Sequence, residues 1–596
     1  MGFTRRDLLT LAGGSAAGLA LTPVPWSLLR DSAELTETWP GVPQPARGEN
    51  RIRYTTCTLC AAGCGVRARC VGDQPITLCG VAGHPASRGA LCPVGLVGHH
   101  LAFCRDRAAR PLAGGKPVTI ERALEEVSAA IARCGARESV AILDPRPGRA
   151  ASLVYRRFLA GLPNGVHCAP PDSQPFGCRG IDLQNTRAIL SFGAPVLDGW
   201  LSPGRVLANR GHFQLIQVEA AYSRTASLAD LWVPVLPGTE AAFAAAVTRA
   251  LRGEFAGYEH DAQAAEAARI LNENRPAIAI GGGQAVANLN AALGSVGKPG
   301  GFLPRRGFTA VTDIAGVPDG SIRVLIVEEG AGGDPLSWDF LRRKLVSRNA
   351  LVVALTPWLD GCAKHADYVI PAPMYLESLD EAPTPAGSTV AGFSLSAALL
   401  TASSQATSPA DFVLRLAHQA ATYPDILKQR VAAIGKDGRG TVFTFADAKT
   451  RRVTEIPSDG ELWKAMLGGA IWCDDPLQGS ARLRPAALPA GAAEAVKNPG
   501  PTPEYPLILI AADSPPPHGS PLMSKLYRES GLRRPADAAA MHPKTGLDQG
   551  LSDGCRGLVN SPTTAFTVQV VFDAAMMPGV IEMAGQAVSP VNIRRA

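Results

Sequence analysis

A chain of 596 residues is too long for a single hydrophobic core, and three or four domains are the expectation. An apolar fraction of 46% with 18% charged residues is that of a globular protein, and a formal charge of +6 is too small for this length to point to nucleic acid. Past the amino terminus no unbroken apolar run of about 18 residues occurs, which excludes a later transmembrane helix.

The chain opens on Thr4-Arg5-Arg6-Asp7-Leu8-Leu9, a twin-arginine pattern, followed by an apolar stretch from Leu8 to Leu21. That stretch has signal-peptide length and is too short to span a membrane as a stable helix. Twin-arginine signals mark proteins exported already folded, typically with a cofactor inserted in the cytoplasm. Residues 1–30 are therefore expected to be a twin-arginine signal and the protein to be periplasmic. No cleavage site is obvious before Pro23, so the expectation is that the segment is kept as an anchor or cleaved elsewhere. Residues 31–50, with Pro40, Pro43 and Pro45, read as an extended arm.

Next comes the most informative feature. Cys57, Cys60, Cys64 and Cys92 stand in the order C-x2-C-x3-C-x27-C. Three thiolates on one tight loop and a fourth returning from a longer excursion can surround one cubane cluster, for which thiolates are the preferred ligands. Small residues and the glycines Gly63 and Gly65 let the backbone wrap closely. A structural zinc site and a pair of disulfides are the other readings of four cysteines, although zinc favours two separated pairs. Residues 51–105 are expected to form this 4Fe–4S domain. The histidines nearby, His84 and the pair His99-His100, read as structural residues, the pair partly exposed, and His167 reads likewise.

Nine cysteines remain of thirteen: Cys70, Cys79, Cys104, Cys134, Cys168, Cys178, Cys362, Cys473 and Cys555. Nine cannot all pair, and folding in a reducing compartment before export removes the need. Beyond the quartet the pattern alternates. Ile120 to Cys134 and Ala241 to Leu251 have helical spacing, whereas Val140–Leu143, Thr186–Gly193, Phe213–Val218, Pro276–Ile280, Ile322–Val327 and Asn349–Leu355 are short apolar strands. Strands apolar on both faces and separated by helices argue for parallel sheets covered on both sides. The fold class expected is multidomain α/β, with a small iron–sulfur domain, two Rossmann-like αβα domains and a β-barrel. One αβα domain takes residues 106–165 plus 321–425 and the other 166–320, while 426–500 reads as an irregular insert and linker. From 501 to 596, Leu507–Ala511 and the alternating Thr567–Phe572 suggest the carboxyl-terminal barrel, of a dinucleotide-binding-like kind. Gly281-Gly282-Gly283 ends a strand without making a dinucleotide fingerprint.

With these residues in place, the chain resembles the molybdopterin oxidoreductase superfamily, the bis-guanine-dinucleotide molybdenum and tungsten enzymes, from about Tyr54 to about Met583. The quartet is similar to that family's amino-terminal domain, and Asp182–Gly193 to its strand leading into the first dinucleotide. Val218–Ala226, Ala229-Asp230 and Leu236–Glu240 are similar to the segment that holds a guanosine. Leu293–Gly301, Ala363–Pro371 with Glu377, His542-Pro543, Gly554 and Pro578-Gly579-Val580 match further family turns and the barrel. The resemblance implies molybdopterin guanine dinucleotide with molybdenum as a cofactor. It further implies backbone N–H groups near Gly193 and Gly238 facing pyrophosphate, Glu219 on ribose hydroxyls, Glu240 on a guanine edge, and Arg224 and Thr239 in the same segment. Solvated loop carboxylates are the plainer reading of Glu219 and Glu240.

Several departures weigh against a working molybdenum centre without weighing against the fold. The region that supplies a metal ligand in catalytic members is short and proline-rich here, offering only Cys168, Ser173 and Cys178. Val94 stands where the family often has lysine, and Ala194-Pro195 where a polar residue is usual. Leu21–Pro40 and Gly83–Pro93 look like the molybdopterin-like subunits of periplasm-facing quinone complexes: menaquinone reductase, alternative complex III and polysulfide-reductase relatives. Partners there are a ferredoxin-like iron–sulfur subunit, an integral quinone-binding membrane subunit, and a multihaem cytochrome c. The function expected is an exported iron–sulfur subunit of a membrane-associated quinone oxidoreductase that relays electrons. The alternatives are a true molybdenum reductase or dehydrogenase of a sulfur or nitrogen oxyanion, using Cys168 or Cys178, and a docking scaffold poor in cofactor.

Overall fold

The structure is a computed structural model. It describes residues 48–103, 107–171, 179–194, 196, 203–329, 336, 338–477, 500–511, 537–562, 564–583 and 589–596, with Thr4, Thr10, Gly14, Ser15 and Gly18. The twin-arginine pair, most of the arm, Cys104, Ser173, Cys178 and the stretch 478–499 lie outside these residues.

Strands Asn50–Thr56, Gly65–Val71 and Gln74–Gly80 form an antiparallel sheet. Val66, Ala68 and Cys70 point into a core while Arg67 and Arg69 point out, the period-two pattern of a sheet with one wet face. Pairing runs from Asn50 opposite Val71 to Thr56 opposite Gly65, which makes residues 57 to 64 the hairpin loop.

A sheet of eight strands forms the centre of the molecule. Its order is Thr312–Asp313, Gly165–Ala169, Ser139–Leu143, Ile322–Glu328, Leu351–Thr356, Tyr368–Pro371, Leu112–Ala113 and Lys116–Pro117. The first six run parallel. Every residue of Ser139–Leu143 is buried, because helices and a second sheet cover both faces. A four-stranded parallel sheet follows, in the order Leu231–Val233, Gln214–Val218, Ala188–Phe192, Ala277–Ile280. Strands Leu507–Ala511, Val580–Met583, Ala538–Met541, Ala565–Phe572, Arg556–Asn560 and Ser589–Arg595 close into a barrel. Mixed α/β architecture, parallel sheets and a carboxyl-terminal barrel agree with the sequence reading.

One segment does not. Residues 426 to 473, expected to be irregular, are regular. Helix Tyr423–Asp437 starts on a Thr422/Asp425 capping box, and strands Thr441–Thr444, Lys449–Arg452 and Ala470–Cys473 join Asp380–Ala382 and Gly392–Ser396 in an antiparallel sheet. These strands are short, and the exposed Lys449–Arg452 is wholly polar, so no hydrophobic period betrays them. Val442, Leu462, Met466 and Ala470 pack with Phe393 and Leu395 against one face of the central sheet.

The glycine turn after helix Gln284–Leu293 shows what a close approach demands. Gly294, Gly297 and Gly300 take φ of 70°, 77° and 77°. A Cβ on Gly301 would lie 1.6 Å from the Ser295 carbonyl oxygen, a backbone atom that cannot swing aside. Gly301→Ala should therefore lower stability by about 3 kcal/mol, whereas Gly211→Ala, whose Cβ would meet nothing within 4 Å, should leave it nearly unchanged. Thermal unfolding of the two variants beside the parent chain checks this; equal transitions would contradict it.

Candidate functional site

The hairpin places Cys57 directly after a strand and Cys64 directly before the next, and the Cys57 N–H donates to the Cys64 carbonyl at 2.8 Å, which closes the loop. Cys92 arrives by another route. After strand Gln74–Gly80 the chain turns on His84, whose Nδ1 accepts from the N–H groups of Ala86 at 3.2 Å and Ser87 at 3.1 Å. A Cβ on Gly80 would lie 2.2 Å from the Gly89 carbonyl oxygen, so this turn seats against the strand only because residue 80 is glycine. Cys92 then caps the short helix Pro93–Val97, its Sγ accepting from the Gly95 N–H at 3.4 Å.

Cys57 and Cys64 are buried and Cys60 and Cys92 half-buried, and none of the four is in a disulfide. Burial pushes the Cys57 thiol up to about 12, and the neighbouring sulfurs of Cys60 and then Cys92 add to the rise. Thiols that resist ionisation this strongly become thiolates when a cationic centre is placed among them. Among the described residues no group of three or more His, Cys, Asp or Glu is arranged to hold a metal ion. A cubane asks for a different arrangement, one thiolate at each of four separated corners. Around the quartet lie buried donors without partners: the hydroxyl of Thr56, the Nε1 of Trp358 and the hydroxyl of Tyr375. Trp358 and Tyr375 pack in one apolar cluster with Cys57 and Cys64. The unbridged thiols and unanswered donors fit a sulfur-rich group that brings acceptors of its own. His99 is buried, unlike the partly exposed residue the sequence suggests; burial and then His100 push its imidazole down to about 4.

Behind the loop lies the carboxyl edge of the central sheet, the edge at which open α/β sheets bind ligands. Here it is filled with charge. Asp144 follows strand Ser139–Leu143, and Glu328 ends strand Ile322–Glu328. Arg149 bridges them, at 2.9 Å to Asp144 and 2.6 Å to Glu328. The Tyr155 hydroxyl donates to Glu328 at 2.6 Å, and His167 stands 3.1 Å from Asp144. Arg146 pairs with Asp380 at 2.8 Å and donates to the Thr58 carbonyl at 3.2 Å, tying the cysteine loop to this network. Burial raises the carboxyl pKa of Asp144, but the Arg149 guanidinium and then His167 outweigh it and hold Asp144 well below the usual range. Burial likewise opposes ionisation of Asp380, and Arg146 and then Arg149 overcome it. Both arginines pair with acids, so a pyrophosphate at this edge would meet the carboxylates of Asp144, Glu328 and Asp380, while the Nε of Arg146 is buried without a partner.

The edge of the four-stranded sheet is different. Gly193, Glu219, Gly238, Thr239, Glu240 and Arg224 all lie beyond the carboxyl ends of its strands. Gly193 has φ of 61°, and a Cβ there would meet nothing within 4 Å. Glu219 accepts from Gln217 at 3.0 Å and from the Ser223 hydroxyl and N–H, while Glu240 accepts from the Gly238 N–H at 2.8 Å. Both carboxylates brace their own loops. Thr239 donates to the Leu236 carbonyl at 2.7 Å, and Arg224 is exposed at the start of a short helix. Cys168 lies apart from all these residues' loops, in strand Gly165–Ala169 within the core; it donates to the Ile142 carbonyl at 3.4 Å, and burial and then Asp144 push its thiol up to about 12. Arg146, Arg149 and Tyr375 are absent from the sequence reading. The signal for the first two was present in Asp144-Pro-Arg-Pro-Gly-Arg149, a burst of charge at the end of an apolar strand.

No protein-family model matches the sequence. The menaquinone reductase molybdopterin-binding-like subunit of Nitratidesulfovibrio vulgaris is 27% identical, with 74% of this chain and 77% of that protein covered. The major subunit of the nitrate-inducible formate dehydrogenase of Escherichia coli is 24% identical over 42% of this chain, and a sulfite dehydrogenase subunit of Allochromatium vinosum is 26% identical over 34%. The chain covers only 29% and 24% of those two relatives. Among solved structures, acetylene hydratase from Pelobacter acetylenicus matches with a TM-score of 0.61 at 15% identity, covering 89% of this chain and 92% of that one, a likeness of fold. Over most of its length the chain is similar to proteins of the molybdopterin oxidoreductase superfamily. In this chain the sheet edge beside the quartet carries buried ion pairs, whereas at the four-stranded sheet Glu219 and Glu240 brace their own loops.

The ion pairs give a pH signature. Asp144 and Asp380 have depressed pKa values, so their stabilisation is fully present above the unfolded aspartate value of about 4 and is lost as pH falls below it. Arg149→Met should cost about 3–5 kcal/mol at pH 7 and flatten the further loss in acid. Denaturant unfolding of both chains across that range measures it, and parallel pH curves for the two would contradict the assignment.

Proposed function

We propose that this protein is an exported iron–sulfur subunit of a membrane-associated quinone oxidoreductase, relaying electrons through one 4Fe–4S cluster held by Cys57, Cys60, Cys64 and Cys92, without a working molybdenum centre. The observation that carries the reading is the pairing of four unbridged thiols, ringed by unanswered donors, with a neighbouring sheet edge already filled by Arg146, Arg149, Asp144, Glu328 and Asp380. A bound cluster supplies one-electron transfer. The chain's own residues hold its ligands: the hairpin fixes three, the helix cap orients the fourth, and Arg146 ties the loop to the sheet. Burial of Cys57 and Cys64 keeps water from the sulfurs.

Residues 51–105 would be the iron–sulfur domain and residues 1–30 a twin-arginine signal delivering the folded protein to the periplasm. A relative covering 74% of the chain is a menaquinone reductase subunit, which supports a multi-subunit complex; the partners we propose are a ferredoxin-like subunit, an integral quinone-binding membrane subunit and a multihaem cytochrome c. Among the described residues no helix is long and apolar enough to cross a membrane; we assign membrane attachment to such partners.

A second reading, a molybdenum reductase or dehydrogenase, is favoured by one observation, the left-handed Gly193 at the end of its strand with room for a Cβ, together with the formate and sulfite dehydrogenase names among the relatives. Metal analysis of the native protein separates the two. The proposal expects about four irons and matching sulfide per chain (one cubane) and no molybdenum. It expects Cys57→Ala to lose iron and Cys168→Ala to keep it. Stoichiometric molybdenum, or zinc in place of iron, would contradict it.

A further inference from the structure

The loop Ala372–Glu377 leaves the central sheet after strand Tyr368–Pro371 and turns toward the cysteines. It is held with unusual firmness. Arg107 clasps Glu377 by two hydrogen bonds of 2.6 and 2.5 Å, and Glu377 also accepts from the Met374 N–H at 2.9 Å. Leu376 sits in the left-handed region at φ 71°, where its carbonyl accepts from the N–H groups of Leu399 and Leu400, both at 2.8 Å. A non-glycine residue is kept in that region only by such surrounding bonds.

The side chain this loop delivers is Tyr375. A Cβ built on Gly98 would lie 2.9 Å from the Tyr375 ring and 3.0 Å from Leu59, so the ring is wedged between the loop carrying Cys57 and Cys60 and the turn following Cys92. Its hydroxyl is buried, with no protein oxygen or nitrogen to receive it. Burial dominates the rise of its pKa, and of its charged neighbours it feels the sulfur of Cys57 first, then Cys64 and Cys92. The hydroxyl is thus turned toward the quartet, and the sulfur it reaches is that of Cys57, a contact that lowers the Cys57 thiol pKa and raises its own. A buried O–H without an oxygen or nitrogen acceptor is costly, and sulfur of the quartet is the acceptor left to it.

We propose that the Tyr375 hydroxyl donates a hydrogen bond to sulfur of the cluster held by the quartet and raises its reduction potential; the inference rests on the cluster reading above. Hydrogen bonds to cluster sulfurs are among the terms that set these potentials. Reduction adds an electron to a sulfur-rich core, so a donor aimed at sulfur stabilises the reduced form more than the oxidised one. Arg107 and Glu377 are positioning residues, since they act only by fixing the loop.

The test is an EPR-monitored redox titration of the full chain, beginning with iron and acid-labile sulfide in the unsubstituted protein. Absence of a cluster there overturns the cluster reading and this inference with it. With the cluster present, Tyr375→Phe keeps the ring against Leu59 and Gly98 but removes the donor. The midpoint should fall by an amount matching about a tenfold change in the reduced-to-oxidised ratio, roughly 59 mV. Replacing Tyr375 by 3-fluorotyrosine keeps the hydroxyl and makes it a stronger donor, so that midpoint should rise. An unchanged midpoint in both, with iron retained, overturns the inference and leaves the cluster standing. If Tyr375→Phe fails to retain iron, the fluorotyrosine chain decides alone.

Discussion

The hydrogen bond from Arg146 to the Thr58 carbonyl joins the cysteine loop to the buried charges of the central sheet. Arg146 and Arg149 cannot sit in the interior unless carboxylates answer them, and Asp144, Glu328 and Asp380 cannot stay ionised there without the arginines. The network is therefore an all-or-none structure. Once formed, it fixes the floor on which the loop rests. The same residues that steady the cysteines also set carboxylates at the edge beside them.

This division explains how one fold serves different chemistry. A superfamily architecture constrains sheets, helices and connections, while activity depends on what stands at the strand ends. Here the apolar strands, the glycine turns and the closed barrel remain. At the strand ends, the charge burst 144–149 and Glu328 close one sheet, and at the other Glu219 and Glu240 have turned their carboxylates onto their own loops. Electron relay asks less of a scaffold than oxyanion reduction. It needs a cluster, a dry setting and a tuned potential, and the residues around Tyr375 bear on the last two.

Much of this is legible in the sequence, for reasons that differ by element. Strands such as Val140–Leu143 and Ile322–Val327 declare themselves because both their faces are buried and their composition follows. The cysteine spacing is legible because a hairpin loop and a helix cap are local devices. The hairpin of 441 to 452 is not, because polar residues on an edge strand leave no period. Tyr375 is illegible for another reason: its neighbours Leu59 and Gly98 lie far away in the chain, and only the folded central sheet brings them together. The charges of Arg146 and Arg149 can be seen in the sequence, but their partner Glu328 is set by strand pairing.

Anomalous diffraction from the native protein at the iron absorption edge tests the central claim most directly. The account predicts one compact iron peak enclosed by the sulfurs of Cys57, Cys60, Cys64 and Cys92. Density joining those sulfurs to one another, or no iron between them, would contradict it.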